Sequence, residues 1–341
     1  MKKYLYVIII LIIIVAITLC FWFQNSKSVP KEEDIKIGVI APLTGPVADY
    51  GEEIRKGVID GLGSSTIKVI FEDDKCDPKE AVSAFKKLTE FQNIKLVIGP
   101  ACGGPQEAIV PLLKSQNVLA IVPAAASADL FAQSGDNFLN TQYSLEEESK
   151  FIADKIFERG LKKVALVSYG NAFSKTHADS FRANFKGKIV TDEVINDVNA
   201  DVAPIITKIK AAKADAIYAP DVSWFFANGV PKLKQQQVNA PVFGTYVVEL
   251  PAIRKLVPGV IYSFPGDLPE GESAVYGLSK QATQLLVAQI KVCNYDYGCI
   301  KKGLLNSGKF KSDGTYQRPL ILKQIQNDTP IILPWFLFCC F

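Results

Sequence analysis

Short apolar runs alternate along this chain with stretches in which apolar residues recur every third or fourth position. The runs IKIGVIAP (35–42), IKVIFED (67–73), IKLVIGP (94–100), VLAIVPA (118–124) and KKVALVSYG (162–170) each read as a strand. So do KIVTDEVI (188–195), DAIYAP (215–220), APVFGTYVV (240–248) and GVIYSFP (259–265). Between them, residues 50–62 carry a stripe of Ile54, Val58 and Leu62, and residues 78–91 repeat Ala81, Phe85 and Leu88 at helical spacing. Residues 105–117 form a further helix, and 144–160 another, opened by a capping box of Ser144 and Glu147. Strand and helix in strict alternation predict an α/β fold of doubly wound parallel sheets, with helices on both faces. A binding site is then expected in the loops that follow the carboxyl ends of the strands.

Two stretches fall outside this pattern. Lys2 and Lys3 precede an uncharged run from Tyr4 to Phe23, about twenty residues, which as a helix would span about 30 Å of hydrocarbon. The paired lysines favour leaving the N-terminus inside and exporting the chain beyond Phe23. Residues 1–23 are therefore expected to be a membrane anchor, with a lipoprotein-type signal and a lipidated Cys20 as the alternative. A polar linker follows over 24–33, and an apolar tail of unknown role closes the chain over 331–341. About 300 residues remain for the exported body, enough for two lobes with separate cores.

Export changes the meaning of the seven cysteines, since disulfides persist outside the reducing cytosol. Cys20 lies in the anchor and Cys339 and Cys340 in the tail, which leaves Cys76, Cys102, Cys293 and Cys299 for the body. Pairing Cys76 with Cys102 and Cys293 with Cys299 is the simplest of the three connectivities. With no CxxC and one histidine, no metal site is expected.

The loop GPACGGPQEAIV (99–110) is the most informative. Pro105 stands at the expected first helical position, so the free N–H groups of that helix start favour an anion. Gly103 and Gly104 let a ligand approach the backbone closely. The loop VPAAASADLFA (122–132), with Ala124, Ala126 and Ser127, repeats the small-residue design. The two could converge on one carboxylate, and taken singly they read equally as tight turns. Tyr50, Phe173 and Tyr246 sit at strand ends, where pockets form. Asp221 and Glu249 also lie just past strands, either to receive an ammonium or as solvated carboxylates. His177, in the polar stretch SKTHADSF, reads as a surface residue rather than a general base. Neither G-x-G-x-x-G nor G-x-x-x-x-G-K-[ST] occurs, so no nucleotide cofactor is implied. No G-x-S-x-G elbow or metal cluster points to an enzyme. Lys and Arg number 38 against 35 Asp and Glu, a balance without the basic surplus that nucleic acid demands.

These motifs together resemble the solute-binding proteins of bacterial ABC importers, in the branch typified by the leucine/isoleucine/valine-binding protein. IKIGVIAPLTGPVADYGEEIRKGV is similar to that branch's opening strand, loop and first helix, and DDKCDPKEAV to its acidic segment. LVIGPACGG and PAAASADL fit its two binding loops, and the likeness is strongest over 34–135. The resemblance implies a Cys76–Cys102 disulfide and a periplasmic-binding-protein type I fold of two lobes joined by three hinge strands. Lobe one is expected to comprise 34–142 plus 266–308, and lobe two 143–265 plus 309–330, crossing near Gln142, Pro265 and Gly308. It also implies a ligand site at Tyr50, Cys102, Gly103, Gly104, Ala124, Ala126, Ser127, Phe173, Asp221 and Tyr246. Gly103 and Ala126 stand where the branch has a serine and a threonine. Tyr246 falls near its ammonium-pairing carboxylate, a role Asp221 is placed to take over. The expectation is a membrane-tethered, extracytoplasmic protein that passes a small amino acid, amide or carboxylate to an ABC permease. A sensory module on the same fold is the alternative.

Overall fold

The computed structural model describes residues 35–333 except 198 and 221–223, together with 14–16 and 18. Its strands are β1 (Lys36–Ala41), β2 (Lys68–Asp73), β3 (Leu96–Ile98), β4 (Leu119–Val122), β5 (Phe138–Asn140) and β6 (Lys163–Tyr169). They continue as β7 (Lys188–Ile195), β8 (Ala216–Tyr218), β9 (Val242–Gly244), β10 (Ile261–Pro265), β11 (Leu320–Gln326) and β12 (Thr329–Ile332). The helices are α1 (Ala48–Leu62), α2 (Pro78–Lys86), α3 (Gly103–Gln116), α4 (Leu130–Ser134), α5 (Leu145–Glu158) and α6 (Ala172–Asn184). After them come α7 (Ala203–Ala212), α8 (Trp224–Gln235), α9 (Pro251–Arg254), α10 (Ala274–Val292) and α11 (Tyr297–Leu305).

The first sheet is parallel, in the order β2-β1-β3-β4-β5. The second runs β12-β11-β10-β9-β8-β6-β7. It is parallel from β7 to β10, but β11 pairs antiparallel with β10 and β12 antiparallel with β11. This corrects the expectation of purely parallel sheets. The hairpin turns through Asn327 and Asp328, both at positive φ, and an antiparallel strand at the edge of an otherwise parallel sheet needs no helical crossover. Residues 331–332, assigned to the tail, belong to β12. Chain segments 36–140 build the first sheet, while 163–265 and 320–332 build the second. Between β5 and α5 and again between α11 and β11, the two connections lie side by side. Asn140 N–H donates to the Gly314 carbonyl at 2.9 Å and Tyr316 N–H to the Gln142 carbonyl at 3.0 Å.

Helix α10 returns to the first sheet and packs along α1. Gly57 and Gly61 face its backbone so closely that a methyl group on either would strike Tyr276 or Lys280 carbonyl oxygens. Both sheets reverse their winding once. In the first, the chain leaves β1 for β2 on one side and for β3 on the other; in the second, β6 lies between β7 and β8. Such switch points open a crevice at the carboxyl ends of the flanking strands, and the loops concerned are 42–47 and 99–103 in one sheet and 170–173 in the other.

The anchor, the linker and the tail beyond residue 333 lie outside the described residues, apart from 14–16 and 18, which are helical. Among the described residues no helix is long and apolar enough to cross a membrane.

Candidate functional site

The two crevices face each other and close on one cavity of about 100 Å³. The first sheet contributes Val47, Tyr50, Cys76, Ala101, Cys102, Gly103 and Gly104, and the second Asn171, Phe173, Tyr246 and Val247. Helix α3 starts at Gly103, two residues before the proline expected to open it, and its first hydrogen bond runs from Gln106 N–H to the Cys102 carbonyl. No side chain caps it, so the Gly103 and Gly104 N–H groups are left for a ligand. Cys102 is bonded to Cys76 (Sγ–Sγ 2.03 Å), which ties the start of α3 to the acidic loop after β2. That loop is braced in turn. Asp74 accepts the Cys76 N–H at 2.9 Å, and Asp77 caps α2 through the Lys79 and Glu80 N–H groups. A second disulfide joins Cys293 to Cys299 between α10 and α11, away from the cavity.

Tyr246 spans the cleft from the second sheet. Its hydroxyl oxygen accepts the Ala125 N–H of the first sheet at 3.3 Å, and its proton goes to the Tyr50 oxygen. Burial pushes the Tyr50 phenol up to about 12, with the Tyr246 hydrogen bond opposing and the carboxyls of Asp74 and Glu148 adding to the rise. Both tyrosines are therefore neutral donors and acceptors at physiological pH.

Behind Phe173 lies a buried polar cluster. The His177 ring meets Phe173 edge-on at 4.7 Å between centroids, its Nδ1 is 3.2 Å from the Tyr218 hydroxyl, and its Nε2 lies 3.4 Å from Glu148 Oε2. His177 is 0% exposed, which corrects the surface assignment made from its polar neighbours. Helix α6 turns His177 inward with Ser174, Ala178 and Phe181, a stripe that the charged residues around it obscured. Burial drives the imidazole down to about 3. Glu148 is pushed up to about 8 by burial, against hydrogen bonds from Ser263 and Tyr143. Both groups are neutral at pH 7 in consequence.

Of the residues expected at the site, Tyr50, Cys102, Gly103, Gly104, Phe173 and Tyr246 line the cavity together. Ala124 and Ala126 are buried beneath it, where Ala126 bridges to Ser144. The Ser127 hydroxyl donates to Asp129 and Glu146 at 2.7 and 2.9 Å and is turned away. Asp221 lies outside the described residues. Glu249, read as either solvated or awaiting an ammonium, is 4% exposed and already bound to Lys323 at 3.1 Å, the Tyr262 hydroxyl at 2.6 Å and the Ala274 N–H at 3.2 Å. Sequence reasoning missed Asn171, although an asparagine between a strand and a helix is a readable capping signal. It also missed Ala125, whose part is played by its backbone, and Glu148, whose burial only packing reveals.

The sequence profile of the periplasmic binding protein family matches residues 34–263. Among relatives, a Leu/Ile/Val-binding protein of Rhizobium johnstonii is 34% identical over 199 residues, 54% of either chain. The match thus spans about half the length of that relative. A Leu/Ile/Val-binding protein of Citrobacter freundii is 27% identical over 299 residues, 82% of this chain and 73% of that one. A leucine-binding protein from Thermotoga maritima superposes with a TM-score of 0.80 at 15% identity, covering 88% of this chain and 98% of the other. A solute-binding protein from R. palustris in complex with benzoate gives 0.77 at 20%, covering 88% and 95%. The branched-chain amino acid binder LivJ of Streptococcus pneumoniae, in complex with isoleucine, gives 0.76 at 22%, covering 88% and 99%. At such identities the likeness carries the fold.

Proposed function

The chain belongs to the periplasmic binding protein family, and from that premise we propose that it is the solute-binding component of an ABC importer. In this reading it is tethered through residues 1–23 on the extracytoplasmic face. It captures a small amino acid, amide or carboxylate between two lobes and hands it to a membrane permease. The observation that carries the proposal is the enclosed cavity where the switch points of both sheets meet, with the uncapped start of α3 on one wall and aromatic side chains on the others. Backbone N–H groups at a helix start suit a carboxylate or carbonyl oxygen, and Tyr50, Phe173 and Tyr246 suit an apolar body. Relatives that bind leucine, isoleucine, valine or benzoate support a ligand of this size.

The lobes are proposed as 34–142 plus 266–308 and 143–265 plus 309–330, hinged near Gln142, Pro265 and Gly308. The connections that lie side by side at Asn140–Gly314 and Gln142–Tyr316 support a hinge there, and a ligand that touches both walls favours the closed arrangement. The test is calorimetric titration of the full-length chain, purified in detergent, with branched-chain and aromatic amino acids, short amides and simple carboxylates. Saturable binding at micromolar affinity or tighter to one of them is expected. Heat from none of them, in a folded and oxidised sample, would overturn the proposal.

A further inference from the structure

The cavity wall offers hydrogen-bond donors and, among the described residues, no free acceptor. Gly103 and Gly104 present N–H groups that no cap satisfies. Asn171 lines the opposite wall and spends its amide oxygen on the Ser174 N–H at 2.8 Å, as the cap of α6. That bond fixes the orientation of the amide and leaves its NH2 over. Tyr246 is saturated on both sides, accepting from Ala125 N–H and donating to Tyr50. Tyr50 is 8% exposed and lines the cavity; its oxygen is taken by Tyr246, so its own proton is what remains to give. The other lining groups are apolar side chains and a disulfide. The carboxyls of Asp74 and Glu148 lie behind this wall and are not part of the lining.

From this census we infer that the site selects an acceptor-only ligand, a small hydrophobic carboxylate without an α-ammonium group. A carboxylate brings only acceptors and meets donors from both sheets, whereas an ammonium brings three donors and finds no partner. Burying an ammonium unpaired costs more than burying an unpaired neutral group. Tyr246 and Asn171 are thereby the residues that set specificity. Tyr246 orients the Tyr50 hydroxyl as a donor, and Asn171 turns its amide nitrogen towards the ligand. The inference rests on the solute-binding reading above and narrows it.

The test compares matched pairs on the full-length chain by calorimetry: 4-methylpentanoate against L-leucine, and 3-phenylpropanoate against L-phenylalanine. Each acid is expected to bind about tenfold or more tighter than its amino acid. Asn171→Asp keeps the helix cap, since the two residues cap equally well, but replaces the amide donor by a carboxylate. It should cut the preference for the acid about tenfold. Tyr246→Phe keeps the ring and removes the relay, and should weaken the acids severalfold with little effect on the amino acids. Amino acids that bind the wild type as tightly as their acids, or more tightly, would overturn the inference and leave solute capture standing. An acid preference that neither variant alters would also overturn it. Absence of binding by any member of the set would remove both the inference and the reading on which it rests.

Discussion

Glu148 and His177 sit 3.4 Å apart with no exposure, each perturbed by burial in the direction that removes its charge. Neutrality is the cheaper state, because a buried charge costs several kcal/mol unless it is well paired. Their effects on stability have opposite signs. The folded pKa of His177, about 3, lies below its ordinary 6.5, so its contribution is present above pH 6.5 and is lost as the pH falls through 6.5 towards 3. The folded pKa of Glu148, about 8, lies above its ordinary 4.5, so its contribution is full below pH 4.5 and is lost as the pH rises towards 8. The slopes offset each other between those ordinary values, and above pH 6.5 only the loss from Glu148 continues. Urea unfolding at pH 6.5 and pH 8 should therefore show Glu148→Gln gaining on the wild type by on the order of 1 kcal/mol. As the sole histidine, His177 can be followed by NMR without assignment, and its ring signals should stay in the neutral form from pH 5 to pH 8. An inflection near pH 6.5 would show an exposed ring and sink this account.

Among the elements, helix α3 depends most on covalent support. Its N-cap is Cys102, which offers no side-chain cap because its sulfur is committed to Cys76, at a sequence separation of 26. The bond replaces a cap with a tether to the loop after β2, and so fixes the N–H groups that face the cavity. Removing both sulfurs, as Cys76→Ser with Cys102→Ser, should lower stability by about 2–4 kcal/mol and weaken ligand binding as well. The pair Cys293 and Cys299, separated by 6 residues, closes the turn between α10 and α11; its loss should leave ligand affinity unchanged. Denaturant unfolding combined with titration separates the two, and equal affinities in both double variants would refute the positioning role of Cys102. The α1–α10 contact shows the same dependence on small residues, since Gly57 and Gly61 alone allow the two backbones to approach so closely.

At the scale of the whole molecule, Tyr246 and Phe173 from one sheet meet Tyr50 and Gly103 from the other. This is the closed arrangement of a cleft whose opening would separate those walls. Small-angle scattering should show the radius of gyration falling when a bound carboxylate is added. No change with a ligand that calorimetry detects would mean that the cleft does not open.

Much of this architecture was legible in the residues themselves. Helical stripes such as Ile54, Val58 and Leu62, and apolar runs such as IKLVIGP, mark their elements because a helix buries one face and a parallel strand buries both. The cavity-lining glycines and aromatics were legible for a related reason: loops after parallel strands converge, so small and aromatic residues there point to a pocket. What the chain alone left open depends on contacts between distant segments. The β11–β12 hairpin is chosen by the free edge of β10, not by its own weak alternation. The burial of His177 and Glu148 is set by the helices and strands that close over them, and the engagement of Glu249 by Lys323, far along the chain. Local pattern determines which elements form, since backbone geometry has a short period. Only the tertiary structure decides which polar groups are spent on one another and which remain for a ligand, because hydrogen-bond partners are allotted in space rather than along the sequence.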